Sequence, residues 1–348
     1  MVHGDDFVTV GSSHDLQWLK ESLEAKYDLK TQVLGPGPND CSEVRVLNRI
    51  LRWTSEGVEY EADPRHAEIV LQDMKAKGRR PVATPGMTGK KDATDEEDQE
   101  MSDQQATCYR AVTARCNFLS QDRADLQHST KEASRTMSRP RVKDWARLER
   151  ISQYLMRRPR VVQVFRHQEE PTYITGYSDS DWAGCVETRK STSAGVLMHG
   201  AHVLKTWSQN QGVVALSSAE AELYAAVKCA SNVQGMISTL KDFGSTKDGI
   251  VRIDSTAAIG IINRRGLGKV RHIHVQHLWL QEKTQKDGLV VEKVDGKQNV
   301  ADLMTKAVNE ETLVKHMTTM DMHFRTGRSA IAPKVATGVA APMAACGP

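Results

Sequence analysis

The chain has 348 residues, which is enough for two domains of ordinary size. Its 47 Lys and Arg residues nearly balance its 44 Asp and Glu residues, and the formal net charge of +3 excludes a globally basic surface for nucleic acid. Any basic surface must therefore be a local patch. No apolar run approaches the roughly 18 residues of a membrane span, so no membrane partner is expected.

The six cysteines form no CxxC pair and no Cys/His finger spacing, which argues against a disulfide framework or a structural zinc site. The N-terminal letters MVHGDDFV contain neither the basic nor the apolar region of a signal peptide. We therefore expect an intracellular protein of the cytoplasm or nucleus that is not secreted.

Changes in composition divide the chain into five predicted segments. Residues 85–106 are polar and acidic, which predicts a disordered linker. Residues 325–348 consist of small residues with Gly and Pro, which predicts a disordered tail. Residues 107–168 are predicted to be a helical region, between an N-terminal segment, 1–84, and a strand-rich domain, 170–310.

The first two predicted helices lie in the N-terminal segment. Residues 14–27 carry apolar side chains at helical spacing, and either of two serines before them could cap the helix. Residues 64–78 begin with Pro64 and end at Gly78, the usual asymmetry of helix ends.

Strands and helices alternate after Pro171. YITGYSDSD, SAGVLMHG and AHVLKTWSQ predict three successive antiparallel strands, and an apolar stripe predicts a helix from about Ser218 to Phe243. Strand GIVRIDS, helix TAAIGIINRR, a helix over about 272–286, strand GLVVEKVD and a last helix from about Asn299 follow. Meandering strands followed by helix-linked parallel strands predict a mixed sheet in an α/β (α+β) fold.

Four acidic residues lie where this order of elements predicts strand ends and helix starts: Asp179, Glu222, Asp254 and Asp302. Metal-dependent hydrolysis of a phosphodiester uses hard oxygen ligands that hold two divalent ions about 4 Å apart. Each residue alone is better explained as a turn residue, a helix cap or a solvated charge than as a metal ligand. Their combination in this order favours a metal site.

The segments that carry these residues read YSDSDWAG, RKSTSAG, LSSAEAELYA, IDSTAAI, RHIHVQHLWLQE and VADLMTK. In this order they resemble the ribonuclease H domain of the Pol polyprotein of copia-type LTR retrotransposons. The resemblance implies a five-stranded mixed sheet with flanking helices, and an acidic site for two Mg²⁺ or Mn²⁺ ions. It also implies cleavage of the RNA strand of an RNA–DNA hybrid.

Carried over from the resemblance, the catalytic residues and metal ligands are Asp179, Glu222, Asp254 and Asp302. Asp181 is an alternative ligand because it lies on the same strand face as Asp179. Glu220 is about 200° from Glu222 around a helix, so both cannot readily reach one pair of ions. The AELYAA context resembles the start of the family's catalytic helix and favours Glu222.

Predicted contacts to nucleic acid are local basic and polar groups, each of which could equally be solvated surface. We expect recognition of backbone geometry and the 2′-OH rather than of base sequence. The candidates are Arg189, Lys190, Ser193, Lys205, Arg264, Arg265, Lys269, Arg271 and His272.

The N-terminal part resembles the end of a reverse transcriptase. HGDDFV places Asp5 and Asp6 where relatives have a paired-aspartate turn, and YEADPRHAEIVLQDM, RRPVATPG and the segment from CYRAVTARC onward resemble the regions after the palm. The resemblance implies a truncated palm, thumb and connection remnant, with Asp5 and Asp6 as a vestigial polymerase site. Its first strand would lack sheet neighbours, so we expect marginal order or completion by another polypeptide.

The sequence therefore predicts a Mg²⁺-dependent endonuclease acting on RNA–DNA hybrids. Two alternatives stay open at this point. One is a catalytically inactive nucleic-acid-binding remnant, and the other is an RNA-directed DNA polymerase subunit that needs a partner, such as another Pol-derived polypeptide, for its missing fingers and palm.

Overall fold

The computed structural model describes residues 1–87, 98–268 and 270–335. Its N-terminal half contains a short ribbon, three further strands and five helices before the strand-rich domain. In chain order these are β1 (Val2–His3), β2 (Asp6–Phe7), α1 (Ser13–Glu24), β3 (Glu43–Val46), β4 (Arg49–Thr54), β5 (Gly57–Glu61), α2 (Pro64–Asp73), α3 (Asp103–Ser120), α4 (Ala124–Ser134) and α5 (Trp145–Arg157).

The second half is richer in strands and follows the predicted order closely. Its elements are β6 (Arg160–Arg166), β7 (Tyr173–Asp181), β8 (Thr192–His199), β9 (His202–Asn210), α6 (Ser218–Asp242), β10 (Asp248–Ile253), α7 (Thr256–Asn263), α8 (Trp279–Lys286), β11 (Val290–Lys293), α9 (Glu310–Thr319) and β12 (Met322–Arg325).

Strands β7 to β11 form the predicted mixed five-stranded sheet, in the order β11-β10-β7-β8-β9. The first three strands in sequence pair antiparallel, as a meander does. Strand β10 then adds parallel to β7, and β11 adds parallel to β10. Such parallel pairs need a crossover connection, which α6 and the helices after β10 provide.

Helix α6 covers one face of this sheet because its apolar stripe is continuous. Leu223, Ala226, Ala230 and Val233 on the helix are fully buried, as the 3.6-residue period predicted. They pack in one core with residues of β7, β10, α7 and α8.

The opposite face is covered by the helical region, which shares a second core with strand β8. Ala194, Val196 and Met198 alternate along β8 and pack there, whereas Leu197 between them faces the α6 side. Helices α2 to α5 and α9 supply most of this core. The helical region and the strand-rich domain are therefore packed as one body rather than as separate units.

A second five-stranded sheet, in the order β12-β6-β5-β4-β3, was not predicted. All its neighbouring strands are antiparallel. The prediction of a helical region over 107–168 is wrong at its end, where RVVQVFR forms β6. Its valines are buried between β5 and β12, partners that are far away in sequence.

The predicted linker and tail are ordered in part. Ser102 caps α3, so helix begins at Asp103 inside the segment predicted as linker, and residues 88–97 lie outside the described residues. In the predicted tail, Arg328 pairs with Glu68 at 2.6 Å and Ala332 is buried. The tail prediction for residues 336–348 also falls outside the described residues.

The first 43 residues contain no buried side chain. Strands β1 and β2 pair only with each other in a two-stranded ribbon, and no residue of α1 is buried. Val10, Phe7 and Trp18 are among the most exposed large apolar side chains of the described chain. This segment is thus attached to the body without contributing to its cores.

Gly176 on β7 allows α6 to approach the sheet closely, because a Cβ there would overlap Cys229 and Val233 of the helix. We predict that Gly176→Ala lowers the free energy of unfolding by about 1–3 kcal/mol through overpacking. Gly235→Ala on the exposed side of α6 meets no neighbour, and should raise it by roughly 0.5–1 kcal/mol. Urea unfolding of both variants measures the difference, and equal effects would contradict the packing argument.

Candidate metal centre

Three of the four predicted carboxylates come together at one edge of the mixed sheet. Asp179, Glu222 and Asp254 each offer an oxygen that lies within 4.8 Å of the other two. Asp179 and Glu222 are buried, and Asp254 is half-buried. Carboxylate oxygens in this number and spacing are the donors that Mg²⁺ and Mn²⁺ prefer.

The sheet topology brings these residues together. Strands β7 and β10 are parallel neighbours in which Arg252 lies opposite Tyr177. Two residues further on, the same register brings Asp254, just after β10, beside Asp179 near the end of β7. Glu222 reaches them from the second turn of α6, which packs across both strands.

Hydrogen bonds orient two of the carboxylates and leave one oxygen without a partner. Ser180 donates its amide and its hydroxyl to Glu222 Oε1, at 3.2 and 2.9 Å. Thr305 donates its hydroxyl to Asp179 Oδ2. Glu222 Oε2 is buried without a hydrogen-bond partner, which is costly unless a cation meets it. The residues present therefore fit a divalent ion.

The pKa values of the cluster are raised by burial and mutual repulsion. Burial, followed by the charges of Glu222 and Asp302, raises the pKa of Asp179 to about 9. Burial also raises the pKa of Glu222 to about 7. The hydrogen bonds from Ser180 lower this pKa, and the charge of Asp254 raises it further. The pKa of Asp254 is raised by burial and by Asp302. Without a cation, ionised carboxylates at this edge of the sheet repel one another electrostatically.

Asp302 lies beside the cluster rather than in it. It belongs to a 3-10 helical segment, Val300–Met304, and not to the start of a longer helix as predicted. Both of its oxygens are 3.0 Å from the ammonium group of Lys306. Its negative charge still acts on Asp179, Glu222 and Asp254, so its role as fourth ligand stays a prediction.

The two alternative ligands face other partners. Glu220 accepts hydrogen bonds from the Leu216 amide at 2.9 Å and from Tyr224, and contacts His272 Nε2 at 2.8 Å. It points away from Glu222, as the helical angle predicted. Burial raises the pKa of Asp181, and the nearby charge of Lys131 acts against that rise. Asp181 is not among the three gathered carboxylates.

The predicted nucleic-acid contacts differ in how accessible they are. Ser193 is buried and accepts a hydrogen bond from Gln211 at 2.9 Å, which leaves little of it accessible, and its contact with nucleic acid stays a prediction. Arg264 turns inward and donates to the Leu267 carbonyl oxygen at 2.5 Å. His272 is held by Glu220.

The other predicted cations lie largely on the surface. Lys205 donates to the side-chain oxygen Oδ1 of Asn232 at 2.8 Å, and Lys190 is partly exposed. Arg189, Arg265 and Arg271 are exposed, and Lys269 lies outside the described residues.

Asp5 and Asp6 are exposed on the β1–β2 ribbon. In the described part of the chain they join no group of three or more metal-ligating side chains. A polymerase centre needs carboxylates from more than this turn, so these two residues alone do not build one.

Sequence reasoning missed three residues that shape the centre: Ser180, Thr305 and Lys306. The last two follow Asp302 at positions i+3 and i+4, the spacing at which helical side chains meet. That spacing was a usable signal in VADLMTK. The bond from Ser180 to Glu222 had none, because it joins residues 42 positions apart.

The strand order and the gathered carboxylates together define a ribonuclease H-like domain. No family model matches the chain. Among solved structures, LC11-RNase H1, isolated from compost by a metagenomic approach, is 17% identical, with a TM-score of 0.30. The alignment covers 42% of this chain and 99% of that one. The fold class rests on the topology described above.

Two curated relatives align over more of the chain than that structure does, and a third aligns over a shorter part. The retrovirus-related Pol polyprotein from transposon TNT 1-94 of Nicotiana tabacum is 27% identical over 332 residues, covering 92% of this chain and 24% of the relative. The Pol polyprotein from transposon RE2 of Arabidopsis thaliana is 27% identical over 233 residues, covering 66% of this chain and 16% of the relative. Secreted RxLR effector protein 161 of Plasmopara viticola is 34% identical over 115 residues, covering 33% of this chain and 80% of that protein.

The chain is similar to retrovirus-related Pol polyproteins from plant transposons, in agreement with the resemblance to a copia-type Pol polyprotein. It spans about a quarter of the length of the first of these relatives. None of the helices in the described part of the chain combines the length and apolar composition that a membrane crossing requires.

The raised pKa values predict how the metal-free protein responds to pH. In the folded state Asp179 and Glu222 keep protons that the unfolded chain releases near pH 4. The free energy of unfolding should therefore fall by about 2 kcal/mol or more as the pH rises from about 4 to about 9. Thermal unfolding in EDTA at several pH values measures this fall.

Asp179→Asn removes the carboxylate of the cluster with the largest rise in pKa, so the thermal midpoint of this variant should vary less with pH than that of the wild type. Asp242→Asn, at an exposed position near the end of α6, serves as control and should keep the wild-type slope. A wild-type slope in Asp179→Asn would show that the cluster does not carry this charge penalty.

Proposed function

We propose that the chain is a divalent-metal-dependent endonuclease that cuts the RNA strand of RNA–DNA hybrids. The observation that carries the proposal is the meeting of Asp179, Glu222 and Asp254, with the unpartnered oxygen Glu222 Oε2 among them. Three acidic groups from two parallel strand ends and one helix are costly to bury together. A pair of divalent ions bound by these carboxylates would offset their repulsion and could promote hydrolysis of a phosphodiester.

In this mechanism Asp179, Glu222 and Asp254 hold the ions, with Asp302 available at the edge of the cluster. When bound, two Mg²⁺ or Mn²⁺ ions supply an activated water and neutralise the developing charge on the leaving oxygen. Ser180 and Thr305 fix the direction of the Glu222 and Asp179 carboxylates through their hydrogen bonds. Such fixation of ligand orientation commonly raises affinity for the metal.

The substrate is held, in this proposal, by exposed cations near the ends of the strands. Arg189 and Lys190 lie in the connection from β7, which carries Asp179, to β8, and Arg265 and Arg271 follow α7. Side chains of this kind bind backbone phosphates, and such binding does not depend on the base sequence. An RNA–DNA hybrid is then distinguished by its backbone geometry and its 2′-OH groups.

A second candidate function concerns the N-terminal segment. The absence of any buried side chain among residues 1–43, with Phe7 and Trp18 exposed, favours a partner surface. On this candidate the chain is a subunit of an RNA-directed DNA polymerase that works together with another Pol-derived polypeptide. Polymerisation that arises only on adding such a polypeptide would support it.

Two glutamates on one helix provide a matched test of the nuclease. We predict that wild-type protein cuts the RNA strand of a labelled hybrid with Mg²⁺ or Mn²⁺, and that Glu222→Gln and Asp254→Asn each lower the rate at least 100-fold, because a metal ligand is lost. Glu220→Gln, two residues away but facing His272, should keep most of the activity.

Gel separation of the cleavage products at several metal concentrations gives the rates, and circular dichroism checks that each variant is folded. Folded wild-type protein that binds the hybrid without cutting it would overturn the enzyme proposal. That result would instead support an inactive nucleic-acid-binding remnant. Equal loss in Glu220→Gln and Glu222→Gln would contradict the assignment of Glu222.

A further inference from the structure

One protein cation is already in contact with the candidate metal centre. Lys306 follows Asp302 by four residues, and its ammonium nitrogen lies 3.0 Å from each of the two Asp302 oxygens. The Lys306 side chain is 52% exposed, whereas that of Asp302 is 15% exposed. The ion pair therefore joins Asp302, beside the cluster, to a side chain that is half exposed to solvent.

The charge of Lys306 reaches beyond its direct partner. Burial raises the pKa values of Asp179, Asp181 and Asp254, and Lys306 is among the groups that lower them. Among the described residues, no other Lys, Arg or His forms an ion pair with any of the four predicted ligands. Lys306 is thus the main protein counter-ion of a cluster rich in negative charge.

A dication that approaches Asp302 meets two obstacles. Both oxygens of Asp302 are engaged by the ammonium group, so a metal ion must compete with that ion pair for them. The positive charge of Lys306 also repels the incoming ion, and this repulsion is strong where water is partly excluded. No ion pair has to break before Asp179, Glu222 and Asp254 bind an ion, since no cation is paired with them in the described structure.

We propose that Lys306 is a built-in competitor for metal at Asp302, so that the centre fills its two ion positions unequally. The first ion binds among Asp179, Glu222 and Asp254, and the second binds only after Lys306 releases Asp302. This inference rests on the proposed function in that it concerns the same metal centre. Lys306 acts through Asp302 and is therefore a positioning residue.

The test is metal binding without nucleic acid or turnover. Mn²⁺ is titrated into the full chain, with free Mn²⁺ followed by electron paramagnetic resonance and binding heat by calorimetry. Wild-type protein should show one tighter site and one weaker site. Lys306→Met, which keeps an unbranched side chain without charge, should tighten the weaker site by about tenfold, or about 1.4 kcal/mol, and change the tighter site less.

Two control variants separate this effect from a general change of charge. Lys306→Arg keeps the cation and should retain the weak second site. Lys286→Met removes a lysine with the same i,i+4 geometry, because Lys286 pairs with Glu282 at 2.9 Å on exposed surface. It should bind Mn²⁺ as the wild type does. If Lys306→Met does not fold, Lys306→Gln takes its place.

Coinciding Mn²⁺ isotherms for wild type and Lys306→Met would overturn the inference, as would weaker binding at both sites in the variant. In either case a wild-type protein that binds Mn²⁺ and cuts the hybrid leaves the proposed function intact. A folded wild type that binds no Mn²⁺ at millimolar concentration overturns the inference and the proposed metal centre together.

Discussion

The packing of helix α6 against strand β7 is the contact on which the candidate site depends. Gly176 leaves room for Cys229 and Val233, so the helix lies close to the strand. That closeness brings Glu222 to Asp179, and the parallel pairing of β7 with β10 adds Asp254. Burial of aliphatic side chains thus stabilises an arrangement in which like charges repel one another.

The other face of the sheet contributes to the same site through the segment that carries Asp302. Asn299 donates to the Ser178 carbonyl oxygen at 2.9 Å, and Ser208 donates to that of Met304 at 2.6 Å. Val300, Leu303 and Met304 pack into the core formed with the helical region. The position of Asp302 therefore depends on residues before 168 as well as on the ribonuclease H-like domain, which links the two parts of the chain energetically.

What the sequence predicted correctly depends on local patterns. Strand β7 has the predicted bounds, and α6 ends one residue before its prediction, because period-2 and period-3.6 patterns are visible within a single segment. The second sheet escaped prediction because its strands are separated widely, as in the pairing of Val162 with Glu61 and His323. Burial of Ser193 and the inward turn of Arg264 likewise result from tertiary contacts that no short motif encodes.

The charges of the centre suggest how substrate and metal binding are coupled on the proposed function. Four carboxylates carry up to four negative charges, and Lys306 already offsets one of them at Asp302. The four positive charges of two divalent ions would balance the four carboxylates. If Lys306 stayed beside the two ions, the centre would carry an excess of positive charge. A scissile phosphate brings a further negative charge, which offsets that excess and gives the ammonium group a new partner once it leaves Asp302. Filling of the second ion position should therefore be most favourable when the hybrid is bound.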